Sequence, residues 1–407
     1  VKQCRLKRLL AFLFCESRKH RKFVSALYLR AGARSEKRGQ LHRKQIFTQS
    51  HIKPRSLNQH FTHYFAKGIS TLSSPAKTFL ITGGAGFIGS HLSKYILERG
   101  HTVYALDNLA TGSMDNVKYI RSNPALAKNF HFVRDDIMNE MVLDRIVSQV
   151  DIVVHLAAAV GVQLIIEKPV HTIETNIMGS EVVLKTALRY GCRVMLASTS
   201  EVYGKGVKIP FCEDDDVLLG NTSKSRWAYA ASKMIDEFLG LAYYQEYGLE
   251  VVPFRLFNTV GARQTGRYGM VIPRFVQQAL RGEPIRVFGD GSQRRCFCDV
   301  RDVVEAIYGL ALHAEAPGKL FNIGSSEEIS IMDLAKTVKR LSQSASDIVL
   351  VPYSEAYPSG FEDMQRRMPD ASRIFQLLGW KPRFTLEQIL QSVLEFERER
   401  SGTLNKA

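Results

Sequence analysis

The segment TFLITGGAGFIGSHLSKYILERG, residues 78–100, restricts the fold more than any other part of the chain. An apolar run ends in glycines at 83, 86 and 89, and the chain then enters a helical pattern with Ile88, Leu92, Tyr95 and Ile96 on one stripe and Gly100 as its stop. A strand this apolar needs cover on both faces, as in a parallel sheet wrapped by helices. The pattern repeats. TVYALD, FHFVRDDI, DIVVHLAAA, RVMLAST and LEVVPFRLF read as strands, with MVLDRIVSQ, NIMGSEVVLKTALRYG and WAYAASKMIDEFLGLAYYQEYG as helices between them. This alternation predicts an α/β fold, a Rossmann-type doubly wound parallel sheet.

Pro253 is awkward in its strand, because proline donates nothing to a ladder; an edge position or a bulge would absorb it. Beyond Asn258 the pattern loosens into short strands (IRVFGD, LFNIG) and helices (VIPRFVQQALRG, SIMDLAKTVKRL), read as a smaller C-terminal α/β lobe over the carboxyl edge of the sheet. The expected domains are residues 77–256 for the sheet and 257–400 for the lobe. The formal charge of +15 belongs to neither, since residues 1–77 hold 18 Lys or Arg against Glu16 and Glu36, leaving 37 basic and 38 acidic residues for the rest. Residues 1–76 read as a basic leader, disordered or non-native, with a transit-type peptide and a basic arm for nucleic acid or anionic membrane as the other readings. No nucleic-acid or membrane partner is expected for the folded body.

Gly83, Gly86 and Gly89 lie between a strand and a helix, the context in which missing side chains let backbone approach a pyrophosphate whose charge sits on the helix N-terminus. The second strand ends in Asp107, where a carboxylate accepts from adenosine ribose hydroxyls and repels a 2′-phosphate, so NAD is expected over NADP. Phe87, Ile88, Asn108, Ile137, Leu156, Ala157 and Ala158 are assigned to the same cofactor surface. Asp136 is read as a receiver for the adenine amino group or a solvated loop acid, and His155 as a cofactor neighbour or a satisfied core histidine.

Tyr229 and Lys233 stand at i and i+4 and share one helix face. A phenol with a pKa of about 10 is a poor base at neutral pH, but an adjacent ammonium stabilises its phenolate. Such a tyrosine can take the proton of a secondary alcohol while the hydride goes to a cofactor. The six cysteines follow no disulfide spacing and suggest a reducing, cytoplasmic setting, and no His/Cys cluster has ligand spacing, so no metal is expected.

Together TGGAGFIG, LDNL, HLAAA, STSEVYG, YAASK and RLFNTVG resemble the extended short-chain dehydrogenase/reductases, specifically the nucleotide-sugar epimerases, dehydratases and decarboxylases, from about Lys77 almost to the C-terminus. The resemblance implies oxidation of a sugar hydroxyl to a bound 4-keto intermediate. Tyr229 is then the base, Lys233 orients the nicotinamide ribose, Thr199 or Ser200 binds the reacting oxygen, and Asn258 and Arg295 hold the nucleotide diphosphate. It also implies a homodimer. The Thr199-Ser200-Glu201 triplet resembles UDP-glucuronate decarboxylases, in which the glutamate and a later arginine act around C5 and C6; Arg367 matches that arginine best, with Arg366 beside it. Where dehydratases carry an Asp-Glu pair, Ser200 precedes Glu201 and the acid is missing. YAASK departs from the YDEGK of many decarboxylases, although RWxYxxSK resembles a bacterial branch. Decarboxylation of UDP-glucuronate is therefore placed first and 4-epimerisation of a UDP-sugar second. A non-catalytic NAD-sensing or nucleic-acid-binding protein is the alternative of another class.

Overall fold

The computed structural model describes residues 75–404 apart from 162–166, 207, 225, 267–269, 357–363 and 365. The expectations for the leader fall outside the described residues, except at its last two positions. The strands are β1 (Thr78–Thr82), β2 (Thr102–Leu106), β3 (Phe130–Val133), β4 (Ile152–His155), β5 (Arg193–Thr199), β6 (Val251–Leu256), β7 (Thr259–Val260), β8 (Ile285–Phe288), β9 (Arg294–Cys296), β10 (Cys298–Asp299), β11 (Phe321–Ile323), β12 (Glu328–Ser330) and β13 (Ile348–Val351). The helices are α1 (Phe87–Leu97), α2 (Asp115–Ser122), α3 (Pro124–Ala127), α4 (Glu140–Val147), α5 (Pro169–Tyr190), α6 (Arg226–Tyr247), α7 (Val271–Arg281), α8 (Val300–Leu312), α9 (Ile331–Ser342), α10 (Tyr353–Ala356), α11 (Ser372–Leu378) and α12 (Leu386–Leu404).

Seven strands form one sheet in the order β11-β6-β5-β4-β1-β2-β3. Every neighbouring pair is parallel. The order reverses between β1 and β4, which opens a crevice beyond their carboxyl ends. Strand alternation sorts the core. Phe79 and Ile81 join Leu92 and Ile96 of α1 and Val303 and Ile307 of α8 on one face. Leu80 turns to the other, with Leu143 of α4 and Val183 and Leu184 of α5. The chain beyond residue 257 thus supplies an edge strand and a covering helix to the sheet as well as a separate apolar cluster built on Phe275, Val276, Leu334 and Leu390.

Pro253 lies neither on an edge strand nor at a bulge. It pairs with Leu196 of β5, while β11 pairs with β6 only from Phe254 onward. The Val251 carbonyl accepts from Gly318 N–H and Phe257 N–H donates to the Ile323 carbonyl, so odd-numbered residues here turn their polar groups toward β11. The missing N–H of Pro253 therefore falls just before the partner strand begins. Two residues on, Arg255 forms a bidentate pair with Glu237 of α6 at 2.9 and 2.7 Å, and Ser198 of β5 donates to the same carboxylate. Arg255→Met would leave this carboxylate buried and unpaired, costing about 3–5 kcal/mol. Urea titration should show that loss, and Arg255→Met combined with Glu237→Leu should recover most of it.

Candidate active site

A cavity of about 580 Å³ opens over the carboxyl ends of the strands, and the candidate site residues named from the sequence line it, except His155 and Arg366. At its floor, Gly83 N–H donates to the Leu106 carbonyl at 2.8 Å and Gly83 takes φ +70°. A Cβ on Gly89 would stand 2.2 Å from the Gly83 carbonyl oxygen, so glycine there sets how closely α1 approaches the turn. A Cβ on Gly86 would meet only that same oxygen, at 3.0 Å, and its free side gives onto the cavity. Asp107 accepts from Ala85 N–H at 2.9 Å and Leu109 N–H at 2.8 Å. Its carboxylate ties the glycine turn to β2 and keeps lone pairs for a ribose. The bare turn, the acid and the cavity size fit a dinucleotide.

Asp136 accepts from Asn108 Nδ2 at 2.7 Å and from Met138 N–H at 2.9 Å, which closes the cleft wall beyond β3. His155 is a core histidine. Thr82 Oγ1 accepts from Leu156 and Ala157 N–H, so its own proton goes to His155 Nδ1 at 2.8 Å, and Nε2–H is left to donate to Ser180 at 3.2 Å. Burial first, and Lys233 second, lower its pKa to about 3. Asn258 Nδ2 donates to the Cys296 carbonyl at 2.8 Å, and Arg295 is buried beside it on β9.

At the end of β5, Thr199 Oγ1 accepts from Glu201 N–H at 3.2 Å and lies near the Tyr229 hydroxyl. Buried Ser200 lies between them in sequence. Glu201 is held by Arg367 at 2.6 Å and by Arg226 at 3.3 Å. Burial works to raise its pKa, but Arg367, then Arg226, outweigh it and hold the carboxyl below its usual range. Arg367 reaches this place because its segment is pinned: Phe211 N–H donates to the Met368 carbonyl, and Asn322 of β11 donates to the carbonyls of Phe211 and Asp370. The neighbouring candidate Arg366 instead pairs with Glu328 of β12 at 2.6 Å.

Lys233, expected to draw down the proton affinity of Tyr229, is bound through its ammonium to Asp236 at 2.7 Å. Withdrawal from water, and then the Glu201 carboxylate, push the Tyr229 pKa above its ordinary value. Two residues of the cavity were given no role from the sequence. Arg226 stands three positions before Tyr229 and seven before Lys233, so the stripe 226-229-233 was a usable signal. Arg274, stacked over the Phe288 ring at 3.7 Å, gave none.

Fold and cleft together define a Rossmann-type enzyme of the extended short-chain dehydrogenase/reductase class. The family model described as GDP-mannose 4,6 dehydratase matches residues 80–393, and the chain belongs to that family. It is 43% identical over 324 residues to a UDP-N-acetyl-alpha-D-glucosaminuronate decarboxylase of Bacillus cytotoxicus, covering 79% of this chain and 98% of that protein. It is 37% identical to UDP-glucuronic acid decarboxylase 2 of Arabidopsis thaliana, covering 79% and 68%. The structure of a Thermus thermophilus UDP-glucose 4-epimerase in complex with NAD superposes with a TM-score of 0.68 at 29% identity, covering 79% and 99%. NAD is thus a cofactor of the family, and the sensor alternative has no counterpart among these three. No helix among the described residues is long and apolar enough to cross a membrane.

Arg367→Met should leave Glu201 with the burial that raises it and only part of the charge that lowers it. Carboxylate NMR titration should then find its midpoint raised. An unmoved midpoint would mean that Arg226 alone sets the ionisation.

Proposed function

We propose that the chain is an NAD-dependent nucleotide-sugar decarboxylase acting on a UDP-linked uronic acid through a bound 4-keto intermediate. The observation that carries this reading is the Arg226-Glu201-Arg367 cluster beside Tyr229, a net positive charge at the catalytic end of a cavity otherwise suited to a neutral sugar. The two decarboxylase relatives support it. The glycine turn, Asp107 and Lys233 would hold NAD, which when bound accepts a hydride from the sugar and later returns it.

Tyr229, with the Thr199 hydroxyl against it, removes the proton of the C4 hydroxyl as that carbon is oxidised. The product is a β-keto acid. Carbon dioxide leaves because the electron pair of the C5–C6 bond delocalises into the C4 ketone as an enolate. Arg367 and Arg226 bring positive charge to the end of the sugar that carries the carboxylate, Glu201 fixes both guanidiniums, and Arg367 assists protonation at C5. Arg295 and Asn258 bind the diphosphate. The 4-epimerase reading draws on the similarity to a 4-epimerase structure and needs no group at C6.

Purified protein given NAD and either UDP-glucuronate or UDP-N-acetylglucosaminuronate should release carbon dioxide and the matching UDP-pentose. Recovery of the C4-epimerised uronate without carbon dioxide would select the epimerase. Tyr229→Phe should reduce turnover at least 100-fold, and Glu201→Gln should bind substrate yet stall before decarboxylation.

A homodimer is also proposed, because α5 exposes Val170 and Ile173, and α6 exposes Ile235 and Phe238, the last at 67%. Light scattering should give twice the chain mass, and Phe238→Glu should shift it to monomer.

A further inference from the structure

Lys233 is 3% exposed and the Asp236 carboxylate that holds it is fully buried. A lysine so far from water gives up its proton readily unless an anion faces it. The groups packed around the pair leave one choice. On α6 itself, Glu237 is engaged by Arg255 of β6 and Ser198 of β5, and Tyr229 is a neutral phenol turned to Thr199. From α5, the uncharged Ser180 hydroxyl lies near Asp236, whose Oδ1 has no hydrogen-bond partner. Behind it stands neutral His155 of β4, and behind that Thr82, which carries the N–H groups of Leu156 and Ala157 at the cavity floor. Glu201, the other carboxylate near Tyr229, is taken by Arg367 and Arg226. Among the described residues Asp236 is the anion available to Lys233.

We propose that Asp236 is a positioning residue, the counter-ion that keeps the Lys233 ammonium charged and anchored in a dry site. It touches neither sugar nor cofactor and acts through Lys233. One of the three ammonium N–H groups is committed to Asp236, leaving two for hydroxyls of a nicotinamide ribose. The inference rests on the reading of Tyr229 and Lys233 as the hydride-transfer pair.

The test uses the full chain with NAD, reading formation of NADH on mixing with UDP-glucuronate from pH 5.5 to 10, for wild type, Asp236→Asn, Lys233→Met and the double variant. The working lysine is the protonated one, so a group that loses its proton more easily removes activity as pH rises. Asp236→Asn should stay within about fivefold of wild type at the acidic end, while the alkaline limb of its profile moves to lower pH. A rate lowered equally at every pH would mark Asp236 as merely structural and overturn the proposal, as would an unchanged profile. Melting temperatures give a reading that does not depend on turnover. Lys233→Met alone strands the buried carboxylate, so the double variant should melt higher than Lys233→Met, whereas equal melting would overturn the counter-ion assignment. Wild-type NADH formation by Lys233→Met would instead refute the hydride-transfer reading, leaving the melting comparison to decide the pair.

Discussion

The placement of α6 governs the rest of the cleft. Arg226, Tyr229 and Lys233 lie on one stripe of this helix, so a rotation of a few tens of degrees would withdraw all three together. The Glu237 carboxylate fixes that rotation. It is gripped from β6 by the Nε and Nη2 edge of the Arg255 guanidinium and from β5 by Ser198, so the helix is keyed to two neighbouring strands. A bidentate buried pair has little angular freedom. The other wall is set by the glycine turn, where absent side chains let α1 come down onto β1 and Asp107 locks the turn to β2.

Within that frame the electrostatics divide into two compartments. Toward the lobe, Arg226, Arg295 and Arg367 surround Glu201, and their joint field outweighs the desolvation that would otherwise protonate it. Toward the sheet, Lys233 and Asp236 cancel. Tyr229 lies between the two, and its withdrawal from water first, then the Glu201 carboxylate, hold its proton tightly.

Much of this was legible in the chain because it is local. The glycine spacing, the acid at the end of the second strand and the Tyr-x-x-x-Lys pair each declare themselves within a few residues, and all of them line one cavity. What the sequence did not settle depends on contacts made far away. Arg366 and Arg367 are adjacent in an extended segment and point to opposite sides; a bridge to Phe211, more than 150 positions earlier, decides which one enters the cleft. Asp236 and Glu237 are likewise adjacent acids on one helix, and only the arrival of β6 assigns the second to Arg255 and leaves the first for Lys233. Pro253 looked out of place because the length of the neighbouring strand is not written in its own segment: β11 begins too late to need its N–H.

These long-range choices share a physical origin. Each buried charge in the cleft had to find a partner or be neutralised, and the fold offers few partners at each depth. Glu237 takes Arg255, Glu201 takes Arg367 and Arg226, and Glu328, at the rim, takes Arg366. With those assignments made, the lysine and the aspartate one turn apart on α6 are left to each other. The site's proton inventory is therefore a consequence of how the whole sheet edge satisfies its charges.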